Sequence, residues 1–131
     1  MAFRSATRRT ASMGLLLALA AAGAWAVSSL ATAQEPAHHE LTVTVRKYAF
    51  SPARIDVVKG DYVKVTLIAQ DIPHSFVIDE YRIAKRVAPG KPITFEFRAD
   101  RPGTFAFYCD LSSDEGCKDT RGHLVVAARQ P

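Results

Sequence analysis

Beyond residue 40 the sequence runs in short stretches in which apolar and polar side chains alternate, and a period of two restricts such a chain to strands. Leu41, Val43 and Val45 alternate with Thr42, Thr44 and Arg46, Ile55 and Val57 with Arg54 and Asp56, and Val63, Val65 and Leu67 with Lys64 and Thr66. The period returns in Phe76-Val77-Ile78, in Ile93–Arg98, in Thr104–Tyr108 and in His123–Val126. Turn formers separate these runs: Ser51-Pro52, Lys59-Gly60-Asp61, Ile72-Pro73, Ala88-Pro89-Gly90, Asp100-Arg101-Pro102-Gly103 and Arg121-Gly122. About seven to eight short strands spaced in this way make an all-β sandwich or barrel, with a single helical turn expected within residues 80–87. Phe76, Phe95, Phe97, Phe105 and Phe107 are its expected core. No internal repeat is present, and 131 residues suit one domain.

The first 33 residues follow other rules. Arg4, Arg8 and Arg9 precede an apolar run from Met13 to Val27, and Ala31-Thr32-Ala33 offers the small residues that a signal peptidase requires. Residues 1–33 therefore read as a signal peptide, 34–40 as a flexible lead-in starting at Gln34, and 41–131 as the domain. As a membrane span the run is short, Ala-rich and interrupted by Gly14 and Gly23, where about 20 apolar residues are needed. Thr7-Arg8-Arg9-Thr10-Ala11 partly resembles a twin-arginine signal, so the export route stays open. The expected location is periplasmic or extracellular, with no membrane contact after cleavage. The formal charge of +4 is mostly leader: without its three arginines, 14 basic side chains face 13 acidic ones. That balance argues against a nucleic-acid binder, which shows a basic face. A monomer is expected.

Three stretches carry a family resemblance. They are Tyr48-Ala49-Phe50-Ser51-Pro52 with Lys59-Gly60-Asp61, then Asp71-Ile72-Pro73-His74-Ser75-Phe76, then Gly103–Cys109 with Arg121–Val126. Together they resemble the cupredoxins, copper-binding Greek-key sandwiches, over nearly all of residues 41–128. The resemblance implies copper as cofactor and a protein redox partner. A type 1 centre takes one thiolate, two imidazoles and a weak axial thioether. By resemblance, His74 and Cys109 fall at ligand positions, and Asp71 or Gln70 would orient the imidazole.

The ligand loop departs from the family. From Cys109 to Thr120 its length is similar to the dinuclear CuA loop of cytochrome oxidase subunit II, with the pattern C-x3-C-x3-H-x2-M. Ser113 stands at the second cysteine, Cys117 at the second histidine and Thr120 at the methionine, while the Leu111 carbonyl matches a main-chain ligand position. Methionine occurs only in the leader, at Met1 and Met13. What remains is an atypical set of His74, Cys109 and Cys117, completed by Thr120, water or an acidic loop residue. Thiolates in such a set favour Cu(I) and Zn(II), and the copper family points to copper. The alternative is a Cys109–Cys117 disulfide, the ordinary fate of the only two cysteines in an exported domain.

Other residues carry less chemistry. His123 should face solvent if Leu124 and Val126 face inward, and His38-His39-Glu40 could capture a metal at a free N-terminus but should more simply be solvated in the lead-in. Asp114, Glu115, Lys118 and Asp119 read as a charged loop surface. No G-x-S-x-G elbow, Gly-rich phosphate loop or H-E-x-x-H occurs, so no enzyme is expected. Cys109 with His74 imitates a nucleophile and base, but Cys117 is close enough to oxidise it. Two functions stay open: copper binding in electron transfer or copper handling, and a metal-free, disulfide-stapled module that binds or assembles with another protein.

Overall fold

A computed structural model describes residues 33–130. Among them nine strands occur: β1 (His38–Arg46), β2 (Ala49–Ser51), β3 (Arg54–Val58), β4 (Tyr62–Ala69), β5 (His74–Ile78), β6 (Ile83–Val87), β7 (Ile93–Arg98), β8 (Gly103–Tyr108) and β9 (Arg121–Ala127). They make two sheets, ordered β2-β1-β4-β7 and β3-β9-β8-β5-β6. β1 runs parallel to β4, and β3 parallel to β9, while the other neighbours are antiparallel. The all-β sandwich expected from the alternation is the observed architecture, one strand richer.

The period of two places one face of each strand in the core. Val43, Val45, Val63, Val65, Leu67, Leu124 and Val126 are buried, and the intervening Lys64, Thr44 and Val125 are not. Three phenylalanines join the sheets: ring centroids lie 4.9 Å apart for Phe76 and Phe107, 5.2 Å for Phe50 and Phe107, and 5.7 Å for Phe50 and Phe76. Phe95 is buried as well, but Phe97 and Phe105 are only half-covered and pack on Tyr81. Gly122 is what lets β9 lie so close to Phe107. A Cβ there would overlap the Phe107 ring and come within 2.7 Å of the Ala53 carbonyl oxygen.

Other expectations need correction. The helical turn within residues 80–87 is instead a short 3-10 turn at Asp79–Tyr81, closed by Arg82 with a φ of 53°, followed by strand β6. β6 pairs with β5 in a hairpin, yet only its end residues Ile83 and Val87 are buried, so the strand has no alternation to read. The lead-in is also shorter than expected, because His38, His39 and Glu40 already pair with Tyr62, Val63 and Lys64.

That N-terminal pairing is fixed by one carboxylate. Asp61, 3% exposed, accepts hydrogen bonds from the Ala37 N–H (3.0 Å), the Val58 N–H (3.0 Å) and Arg129 Nη2 (2.9 Å), and pairs with His39 Nε2 (2.8 Å). Arg129 also donates to the carbonyls of Lys59 and Gln34. His39 is therefore not a freely solvated tail residue. Burial pushes the Asp61 carboxyl up, but the bonds from His39, Val58 and Ala37 outweigh it and hold the group below its ordinary value.

Candidate functional site

His74 opens β5 directly after Pro73, whose ring biases Ile72 to an extended backbone. The imidazole is 1% exposed. Its Nε2 lies 2.9 Å from Asp71 Oδ1, which leaves Nδ1 as the ring nitrogen open to a ligand. Asp71 is itself fixed by the Lys47 N–H on Oδ2 (2.6 Å) and its neighbour Ile72 N–H on Oδ1 (2.7 Å). Desolvation opposes ionisation here, yet those N–H bonds and His74 lower the Asp71 pKa to about 2. The residue orienting the imidazole is thus Asp71. Gln70 instead uses its backbone N–H to bond Val45.

The two cysteines bracket the loop between β8 and β9. Cys109 follows β8, and Cys117 sits in a 3-10 turn, Glu115–Asp119, in which the Asp114 side chain caps the Gly116 N–H. They form a disulfide with a Cα separation of 5.1 Å, and each is 1% exposed. Two backbone donors point at these sulfurs: the Ser75 N–H at Cys109 Sγ (3.3 Å) and the Leu111 N–H at Cys117 Sγ (3.0 Å). Ser75 adds a second tie, donating Oγ–H to Asp110 (2.6 Å) while accepting the Asp110 N–H (2.7 Å). The residue after the histidine therefore binds the residues at the start of the loop.

The remaining candidates are placed as follows. Thr120 is fully buried, but its hydroxyl donates to the Gly116 carbonyl at 3.3 Å, inside its own turn. Ser113 and Asp114 line an open, largely apolar cavity of about 730 Å³ beside His74, together with Ile72, Val87, Ile93 and Leu111. His123 is exposed on β9 between buried Gly122 and Leu124. With the sulfurs joined, no group of three or more His, Cys, Asp or Glu side chains among the described residues is arranged to hold a metal. The structure thus brings His74, Cys109 and Cys117 to one pole without making them one ligand set.

Tyr48 touches the site, although the sequence marked it only as the first residue of a stretch that resembles the family. Its hydroxyl donates to Asp114 Oδ1 at 3.0 Å, and its ring lies so close to Gly116 that a Cβ there would overlap it. Residues 66 positions apart meet here. No local pattern reports such a contact.

A β-sandwich with a histidine at the head of β5 and two cysteines in the β8–β9 loop belongs to the class of cupredoxin-fold proteins. The chain belongs to the family described as cupredoxin-like domain, whose model matches residues 17–126. A nitrous-oxide reductase from Stutzerimonas stutzeri is 31% identical over 65 residues, which are 47% of this chain and 10% of that protein. The chain thus spans about a tenth of this relative's length. Among solved structures, a heme-copper terminal oxidase dimer is similar with a TM-score of 0.64 and 19% identity over 76% of each chain. The copper nitrite reductase from Nitrosomonas europaea follows with a TM-score of 0.57 and 20% identity, covering 71% of this chain and 42% of its own. At such identities these likenesses are of fold alone.

Proposed function

We propose that the chain is an exported copper-handling domain that binds Cu(I) through His74, Cys109 and Cys117 when the two cysteines are reduced. One observation carries this reading: each sulfur already has a backbone N–H aimed at it, from Ser75 at 3.3 Å and Leu111 at 3.0 Å. Hydrogen bonds of that kind stabilise a thiolate over a thiol, and the thiolate is the metal-binding form. The closed disulfide does not fit copper, because its neutral, mutually bonded sulfurs are far weaker donors than the two thiolates the site needs. Two electrons and two protons from a dithiol protein or small thiol open it, the donor leaving as its own disulfide. The opened pair and the Asp71-oriented imidazole form a soft donor set suited to Cu(I). Bound copper would supply one-electron chemistry, and a protein redox partner would then be its natural counterpart.

The test is an anaerobic titration of reduced protein with Cu(I) against a competing chelator. About one equivalent should bind, and Cys109→Ser should weaken binding far more than His123→Ala. Equal affinities in the two variants would remove Cys109 from the site.

The buried, closed pair favours a second reading, a metal-free module stapled by its disulfide and serving to bind or assemble with another protein. Intact-mass analysis of protein taken from its export compartment separates the two. Loss of two hydrogens without metal supports the staple, and a mass raised by one copper supports the first reading.

A further inference from the structure

The turn between β1 and β2 touches both halves of the site with adjacent residues. The Lys47 N–H holds Asp71 and through it His74, while Tyr48 reaches across to the loop that carries Cys117. Tyr48 is 42% exposed, yet its ring covers Gly116 and its hydroxyl bonds the same Asp114 oxygen that caps the Gly116 N–H at 3.0 Å. Gly116 directly precedes Cys117. Among the described residues, the loop's other hydrogen bonds are short-range within residues 109–121 or run to Ser75, so the Tyr48 hydroxyl makes the hydrogen bond that ties the Cys117 half to the first sheet.

We infer that Tyr48 is a positioning residue that latches the Cys117 turn and sets how fast an external thiol reaches the Cys109–Cys117 disulfide. The chemistry requires an opening. An attacking thiolate must approach one sulfur along the S–S axis, forming a mixed disulfide and expelling the other sulfur as thiolate. A second thiol of the donor then resolves the mixed disulfide, so two electrons pass to the cysteines and the donor is oxidised. With both cysteines 1% exposed, attack has to wait for local opening of the loop. The turn that lifts is the one beneath Tyr48. Because Gly116 has no side chain, the phenol ring lies directly on the backbone beside Cys117. This inference rests on the reading of the cysteine pair as redox-active, but not on copper binding.

The experiment follows reduction of the oxidised protein by excess dithiothreitol at neutral pH, well below the melting temperature, with maleimide trapping and intact-mass readout. Tyr48→Phe removes the bond to Asp114 but keeps the ring, and should speed reduction about fivefold, as expected for one hydrogen bond lost. Tyr48→Ala removes both contacts and should speed it roughly tenfold or more. Tyr62→Ala is the control, since Tyr62 is equally exposed at 42% but begins β4, away from the cysteine loop, and should leave the rate unchanged. If Tyr48→Ala folds poorly, Tyr48→Phe alone decides. Wild-type rates in the Tyr48 variants, or equal acceleration by Tyr62→Ala, would overturn the latch. Failure of Cu(I) to bind the reduced wild-type protein would overturn the copper reading and leave these rates meaningful.

Discussion

Replacing Asp61 should cost this domain a large part of its stability, because three separate segments depend on its buried carboxylate. Asp61 binds Ala37 and His39 from the N-terminal stretch, Val58 from the β3–β4 turn and Arg129 from the C-terminal tail, at 2.8 to 3.0 Å. A hydrogen bond to a charged group contributes about 1.5–3 kcal/mol, and removing one partner of a buried pair costs about 3–5 kcal/mol. His39 and Arg129 keep side-chain exposures of 36% and 23%, so water can take up part of the loss. The expected cost of Asp61→Ala is therefore about 2–4 kcal/mol, equivalent to a drop of roughly 10–20 °C in melting temperature for a domain of this size. The native pKa of Asp61 lies below its ordinary value, so its contribution is complete above the unfolded pKa of about 3.9 and fades as pH falls through the native value. Urea unfolding of wild type, Asp61→Ala and Asp61→Asn at neutral pH and between about pH 4 and pH 2 measures both effects. The wild-type advantage over Asp61→Asn should shrink with acidification. An Asp61→Ala cost below about 1 kcal/mol, or an advantage that persists undiminished at about pH 2, would refute the clasp.

Two further outcomes bear on the loop and on the core beneath it. Ser113→Cys, Cys117→His and Thr120→Met together restore a CuA-type ligand pattern without changing loop length, so the triple variant given copper should develop the purple colour and two-copper hyperfine pattern of a mixed-valence centre. Electron paramagnetic resonance showing only ordinary type 2 copper would break the alignment of Cys117 and Thr120. Gly122→Ala should lose about 1–3 kcal/mol of stability by chemical denaturation, since the added methyl meets the Phe107 ring and the Ala53 carbonyl, and a neutral effect would mean that the ring moves aside freely.

How far the sequence could be read depended on whether a feature was local. The strands of Leu41–Val45 and Val63–Leu67 were legible because each has one wet and one dry face, and the side-chain period reports this directly. β6 was not, because Ala84, Lys85 and Arg86 are exposed in succession along an edge strand that β5 holds by backbone bonds. His74 and the cysteines could be singled out through the family resemblance of the motifs around them, but that resemblance cannot tell two thiolates around an ion from two sulfurs joined to each other. Two cysteines that share a metal can also come within the roughly 4.4–6.8 Å Cα separation that a disulfide needs. Tyr48 and Asp61 act through partners far along the chain, where a sequence supplies a residue type but no address.

The two antiparallel strands flanking the cysteines have a consequence for how the site comes together. β8 and β9 pair over six consecutive positions, from Gly103↔Val126 to Tyr108↔Arg121, and the cysteines lie within the connection they close. β5, which carries His74, joins β8 in register only at Val77↔Tyr108 and depends on its hairpin with β6 for the rest. On the proposed reading of an exported chain, the sulfurs would meet as soon as this one C-terminal hairpin forms, by closing a short loop at small entropic cost. The histidine joins them only after contacts spanning more than 30 residues are in place. On the copper-handling reading proposed above, oxidation and metal capture would compete by folding order, with the disulfide favoured first and copper dependent on a later reductant.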